Sequence, residues 1–447
     1  MPPAPYTAPA KRASKSSVAD GAAAVADSAT AANSTGSEGE DGIPAQPAGF
    51  IYPIPKRSHA AYPHPILSSV HGITTAWWLF SVLSLASLLT NALQLLTHTL
   101  VFLPRPTRLA IAQQLADVFW LLFPFATEVH SSIPLLLTGH PPLASDSSAL
   151  LIGNHAPGID FPVGCSVSFL PGGPGVGRLL VLMKQSLSFY PIIGWTHVLQ
   201  GSLFLTRRWE SDKRQIDAKM HEILQPSFPR PFWIGVYPEG TRITPAKKRD
   251  SQAFSRQRRL PLFHHVLFPR TKGFTYVLSA LRPTLSAVYN ATTSYSGGGL
   301  FLTDVLLKGR FRSQAIHVHM TRTAVEQLPS ETDGQSEWLY SAFQEKDRLL
   351  SYFQQYDRFP AQAASDVYIV PANRFTRLTS VFVGWSVLMS AGLWLMCGWR
   401  WGLLGGVMTA LTVLRPMLLG GLWDVFGDGS GPLSGQRRKQ ELSRRKR

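Results

Sequence analysis

Two short motifs at the ends of apolar runs hold the residue types that acid–base and phosphate chemistry require. The first, Asn154-His155-Ala156-Pro157-Gly158-Ile159-Asp160, follows the stretch SALLIG. A histidine can accept a hydroxyl proton near neutral pH, and a carboxylate on its other ring nitrogen fixes the tautomer and stabilises the imidazolium that forms. The residues between His155 and Asp160 span about one helical turn, so at a loop-to-helix junction the two side chains can meet. The second motif is Val236-Tyr237-Pro238-Glu239-Gly240-Thr241-Arg242. Gly240 lets backbone approach a ligand closely, while Thr241 and Arg242 supply a hydroxyl and a planar fork suited to phosphate oxygens. Plainer readings stand beside both: Asp160 as a helix cap near one of 13 histidines, and a strand-ending turn with a solvated Arg242. Two motifs at two strand ends favour a site, because ligands of α/β sheets gather at the carboxyl ends of strands.

The elements that would position these groups are short apolar runs bounded by Gly, Pro, Ser or charge. SALLIGN, RLLVLMK, QGSLFLT, RPFWIGVYP, TLSAVYN and QAIHVHMT read as buried strands separated by helical or turn-rich segments. The pattern predicts an α/β domain over 128–375, a mixed sheet flanked by helices.

Apolar segments bracket that domain. Residues 75–103 carry no formal charge and exceed the ~20 residues that cross a bilayer. The stretch after Pro106 mixes polar positions with an apolar face, as in a helix lying at the interface, so 70–127 reads as an N-terminal membrane helical motif. Residues 380–399 and 401–423 form a C-terminal membrane hairpin, weakened in its second arm by Arg415 and Pro416 and turning at Arg400. Residues 1–55, rich in Ala, Ser, Gly, Pro and Thr, read as a disordered tail, with acids that argue against a transit peptide. Residues 424–447 are a basic tail, which the positive-inside rule places in the cytosol.

Composition agrees. Of 447 residues 16% are charged, against about 25% in average globular proteins. A net charge of +16 calls for anionic surroundings, and the apolar spans favour membrane headgroups over nucleic acid, for which no reading module is present. Two cysteines, Cys165 and Cys397, exclude a disulfide framework and fit a reducing compartment. Neither clustered metal ligands nor a G-x-S-x-G or Walker-type loop occurs, which sets aside zinc enzymes, serine hydrolases and P-loop enzymes.

In their order the motifs resemble the glycerolipid acyltransferase family: NHAPGID, LFLTRRWESD, YPEGTR and LRPTLSAVYNATTSY match its four blocks. The resemblance is sharper with the eukaryotic branch of lysophosphatidic acid, lysocardiolipin and lysophosphatidylinositol acyltransferases, through Arg207, Trp209, Asp212, LPLFHHVLFPRTKGFTYVL and WLYSAFQEKDRLLSYF. It covers roughly 145–355 and extends to the paired C-terminal spans. The resemblance implies that His155 deprotonates an acceptor hydroxyl, which attacks the acyl-CoA thioester directly, and that Asp160 orients His155. It also implies that Arg207, Glu239, Gly240, Thr241, Arg242 and Lys272 form the region for the acceptor phosphate, with no cofactor and no metal. The expected partners are acyl-CoA, a lysophospholipid and membrane lipids, and the expected setting is the endoplasmic reticulum membrane with the catalytic domain facing the cytosol. Both tails would then share that face, with 75–103 entering the membrane and coming back and 107–127 lying in it or re-entering. A single crossing by the first helix is the alternative and would place residues 1–70 in the lumen.

Two departures bear on the acceptor. Val288-Tyr289-Asn290 carries an amide where this branch often has an acid, and Ala156-Pro157-Gly158 is compact and stiffened by proline. Arg242 completes E-G-T-R and favours a phosphate-monoester acceptor such as 1-acyl-sn-glycerol 3-phosphate, giving phosphatidic acid. Lysophosphatidylinositol and lysocardiolipin stay open, and a catalytically silent scaffold would have lacked His155 or Asp160. Asn290-Ala291-Thr292 matches a glycosylation sequon that a cytosolic domain would not expose.

Overall fold

The computed structural model describes residues 65–418 apart from 140–142, 144–146, 157, 192, 299–304, 306–314, 362–367 and 370–371. The expected tails at 1–55 and 424–447 lie outside the described residues.

The six apolar runs form strands: β2 Ala149–Gly153, β3 Leu179–Lys184, β4 Leu203–Leu205, β5 Trp233–Val236, β6 Ala287–Tyr295 and β7 Ile316–Ala324. Two more join them, β1 Leu135–Gly139 and the two-residue β8 Tyr368–Ile369. The sheet order is β4-β3-β5-β2-β6-β7-β1-β8. It is parallel from β4 to β6, and β7 runs parallel to β1, but β6 is antiparallel to β7 and β1 to β8. The protein is therefore an α/β fold on a mixed sheet. Strands covered on both faces need no polar alternation, which is why β2 to β5 read as largely apolar runs. The antiparallel pair β6 and β7 instead carries polar positions such as Asn290, Thr292, His317 and His319.

Successive side chains of each strand point to opposite faces. On one face Trp233 and Tyr289 pack with α2 Arg105–Trp120 and α3 Asp160–Ser168. On the other Leu150, Ile152, Ile234 and Val288 pack against α5 Trp209–Leu224, α7 Thr271–Leu281 and α8 Thr332–Tyr356. A short α4, Ile193–Leu199, and the polar α6, Pro245–Gln257, complete the domain.

The first apolar segment is one unbroken helix, α1 Pro65–Thr99, so no re-entrant turn lies inside it. At 1.5 Å per residue it is about 50 Å long. The chain reverses and α2 runs back along it, Gln94 Nε2 donating to Ala112 O at 2.9 Å. The helix expected to lie at the interface packs one face against the domain and leaves Arg105, Thr107, Gln114 and Val118 exposed. Phe119, Trp120 and Phe125 are buried, and two polar positions of the helix serve as internal partners. Gln113 Nε2 donates to Gln200 O at 3.3 Å, and Asp117 Oδ1 accepts from Val176 N and Gly177 N at 2.6 and 3.1 Å.

The C-terminal apolar run forms α9 Ala372–Cys397 and α10 Trp399–Leu418, joined at Gly398 in the left-handed region (φ +94°). Among the described residues, Gly72–Thr99, Arg105–His130 and Arg374–Cys397 are long and apolar enough to cross a membrane, though 67% of the second one's apolar window is buried inside the protein and only 11% of the third's. The base of α9 is tied to the domain. Arg374 Nη2 lies 2.8 Å from Glu128 Oε1 and 2.9 Å from Ser166 O, while Ser166 Oγ donates to the same Glu128 oxygen at 2.5 Å. Phe125 stacks on Phe382 beside this pair, ring centres 4.2 Å apart.

Candidate active site

The chain leaves β2 at Asn154, whose amide grips β6: Nδ2 donates to Thr293 O at 3.0 Å and Oδ1 accepts from Thr293 N at 2.7 Å. His155 follows, and Asp160 opens α3. Their side chains meet, His155 Nδ1 lying 2.5 Å from Asp160 Oδ2. The carboxylate favours the tautomer with the proton on Nδ1 and leaves Nε2 as the basic nitrogen. Asp160 is 5% exposed and His155 22%, so the base is reachable while its partner is sheltered. The Tyr295 hydroxyl approaches the other carboxylate oxygen at 3.4 Å, and the imidazole stacks on Tyr237 with ring centres 4.7 Å apart. Burial raises both phenols and so keeps them neutral.

The turn after β5 supplies the second motif. Gly240 sits in the left-handed region (φ +67°), where the side chain of Arg270 lies against it. Arg207 Nη2 donates to Gly240 O at 3.0 Å. Arg207 itself has φ +68°. Its turn is held by Asp212, whose Oδ1 accepts from Thr206 N and Oγ1 at 2.6 and 2.7 Å. Lys247 Nζ donates to the Thr241 hydroxyl. Arg242 is exposed, and its charge acts on the Tyr237 and Tyr295 phenols beside Asp160. Arg207, Arg242, Lys247 and Arg270 thus gather around one turn, a cationic rim next to the imidazole suited to a phosphate. Lys272 is exposed in the first turn of α7, two residues beyond Arg270.

Glu239 does not fit the acceptor-phosphate role expected of it. It is 3% exposed, and its oxygens accept from His155 N at 2.7 Å and Leu267 N at 3.0 Å. It fastens the backbone that carries the base. Burial pushes its carboxyl up to about 7, against the lowering effect of those two amides.

Behind Glu239 lies Lys346, which the sequence reading passed over. Its ammonium is fully buried in α8 and donates to Ala291 O of β6 at 2.5 Å. Burial lowers it to about 7, with the Glu239 charge opposing. Its neighbour Asp347 takes the N–H groups of His264, His265 and Val266 at 2.8, 2.5 and 3.2 Å. Together the two residues brace the strand that Asn154 grips and the loop that leads to Leu267. The expected result for Lys346→Met is a fall in kcat of up to ~10²-fold, the size of effect that follows a ~1 Å displacement of a catalytic group. KM should change little, and a rise in KM with kcat intact would remove this positioning role. Cys165 is buried in α3 with its thiol pushed well up by burial, the state of an unreactive thiol. Asn290 is a buried residue of β6, 9% exposed.

A buried carboxylate against a reachable imidazole, at the carboxyl end of a central strand and beside a cationic rim, has the geometry that general-base group transfer requires. Comparison with known proteins agrees with that class: residues 135–289 match the family described as Acyltransferase, and 305–385 match Acyltransferase C-terminus. The chain belongs to the glycerolipid acyltransferase family. Its relatives include 1-acyl-sn-glycerol-3-phosphate acyltransferase 2 of Brassica oleracea, 29% identical over 70% of this chain and 79% of that protein. The enzyme of the same name from Arabidopsis thaliana is 32% identical over 55% of this chain and 60% of its own length. The human gamma enzyme is 30% identical over 55% and 62%. Among solved structures, the 1-acyl-sn-glycerophosphate acyltransferase of Thermotoga maritima is similar at a TM-score of 0.35 and 13% identity, over 62% of this chain and 98% of that one.

Proposed function

We propose that this protein transfers a fatty acyl group from acyl-CoA to the free hydroxyl of 1-acyl-sn-glycerol 3-phosphate, giving phosphatidic acid, at the cytosolic face of the endoplasmic reticulum membrane. The observation that carries the reading is the His155–Asp160 contact of 2.5 Å beside the exposed Arg242 of the 238–242 turn and the exposed Arg207 and Arg270 that flank it. Nε2 of His155 takes the proton of the acceptor hydroxyl as its oxygen attacks the thioester carbonyl. The C–S bond breaks, and the imidazolium returns the proton to the departing thiolate. Arg207, Arg242 and Arg270 hold the acceptor phosphate, and the relatives' printed names support that acceptor.

The test is a side-by-side assay of purified protein with lysophosphatidic acid and lysophosphatidylinositol, each with an acyl-CoA. Preference for the inositol lipid would move the protein to phospholipid remodelling, and inactivity with both would remove the reading. Within the same assay Arg242→Lys, which keeps the charge but loses the fork, should raise KM for the acceptor roughly tenfold and leave that for acyl-CoA nearly unchanged. Equal rises would place Arg242 at the donor or in the scaffold.

A further inference from the structure

A cavity of about 550 Å³ lies between the base of α9, the side of α2 and the Gly-rich loop that follows α3. It is not the reaction site. Helix α3 runs back from Asp160 to Ser168, so the cavity lies ~12 Å along that helix from the catalytic carboxylate, and Arg178 in its wall immediately precedes β3. The cavity therefore opens at the amino ends of the strands, whereas His155 stands at the carboxyl end of β2.

The lining holds three guanidinium groups, of which Arg374 is committed to Glu128, leaving Arg178 and Arg377 against the one acid in the lining, Asp117. That acid is committed to the loop, because its Oδ1 accepts from Val176 N and Gly177 N, and its other oxygen is 4.0 Å from Arg377. Arg374 and Arg377 are one turn apart on α9 and both lie over the Phe169 ring, at 5.0 and 4.8 Å from its centre. Their planar forks are thus oriented before any ligand arrives. Gln113 also lines the cavity and is 1% exposed. Its Nε2 is spent on Gln200 O, which fixes the orientation of the amide. Its Oε1 is sealed from the cavity, so the amide shapes the wall and the arginines are left to hold a ligand. The setting narrows the ligand further. Arg374 is the first residue of the apolar span Arg374–Cys397, and arginines at the end of a membrane helix sit at the level of lipid phosphates.

From this we propose a second lipid site: the cavity binds the headgroup of an anionic phospholipid, its phosphate on Arg178 and Arg377. The site holds a bilayer lipid that does not react, and it stands independently of which acceptor His155 serves.

The test uses full-length protein in an uncharged detergent and follows thermal unfolding with dioctanoyl phosphatidylglycerol, dioctanoyl phosphatidylcholine or inorganic phosphate. Phosphatidylglycerol should raise the midpoint by several degrees in the wild type and equally in His155→Ala, and phosphatidylcholine should not. The shift should disappear in the double variant Arg178→Gln/Arg377→Gln. Arg377 has a side chain 63% exposed, so Arg377→Gln alone, with about half the shift, serves if the double variant is poorly folded. An undiminished shift in these variants, an equal shift with phosphatidylcholine, or its full reproduction by inorganic phosphate each overturns the assignment. Loss of the shift in His155→Ala would return the lipid to the reaction site.

Discussion

His155→Ala lowers the rate of acyl transfer by about 10²–10⁴-fold, the contribution a positioned general base makes, while the protein still inserts into membranes in normal amount. The imidazole makes one side-chain hydrogen bond, to Asp160, and stacks on Tyr237. The fixtures of the loop are backbone ones, His155 N to Glu239 and His155 O to Ile243 N, and alanine keeps them. Initial rates with saturating acyl-CoA and acceptor, on protein quantified in the membrane fraction, measure the effect. A variant within tenfold of wild type would take His155 out of the mechanism.

The second large effect is expected of Asp160→Asn. If the amide keeps its oxygen toward Nδ1, the hydrogen bond survives but the negative charge that stabilises the imidazolium is gone. If it turns its NH₂ toward Nδ1, the proton moves to Nε2 and the base is lost altogether. Either way a fall of about 10²–10⁴-fold in kcat follows, with acceptor KM little changed because the cationic rim is untouched. The thermal unfolding midpoint, measured on the same preparation, separates this from loss of fold. Activity above a tenth of wild type in a folded variant would mean that Asp160 does not orient the base.

The runs that became β2 to β5 were legible because strands covered on both faces select apolar stretches. Those of β6 and β7 were legible because β-branched and aromatic residues cluster between turn signals. NHAPGID and YPEGTR stood out because chemistry-bearing types followed two of the apolar runs. Strand β1, with the sequence LLLTG, was hidden in the apolar composition of the helical segment before it, and β8 is too short to leave a periodic signal. The role of Glu239 depends on Leu267, 28 positions away, and no local pattern predicts that pairing. Beside Arg242, its carboxylate read as one part of a phosphate turn. Lys346 in an amphipathic helix reads as a solvated charge until β6 is packed over it. The partners of two polar residues of α2 were out of reach for the same reason, since Gln113 and Asp117 bond to 200, 176 and 177, which only the folded chain brings near.

The ion pair between Arg374 and Glu128 has a consequence for how the protein can be divided. The partners are 246 positions apart, one at the foot of the terminal hairpin and the other in the turn that ends the second helix. A fragment stopped before residue 374 would keep the carboxylate in an apolar interior and discard its counter-charge, at a cost of about 3–5 kcal/mol. It would also strip Phe382 from Phe125. Trimming the hairpin is therefore expected to loosen Asp160's helix as well, since Arg374 also holds Ser166 of that helix, and the join between hairpin and domain runs through side chains instead of a linker.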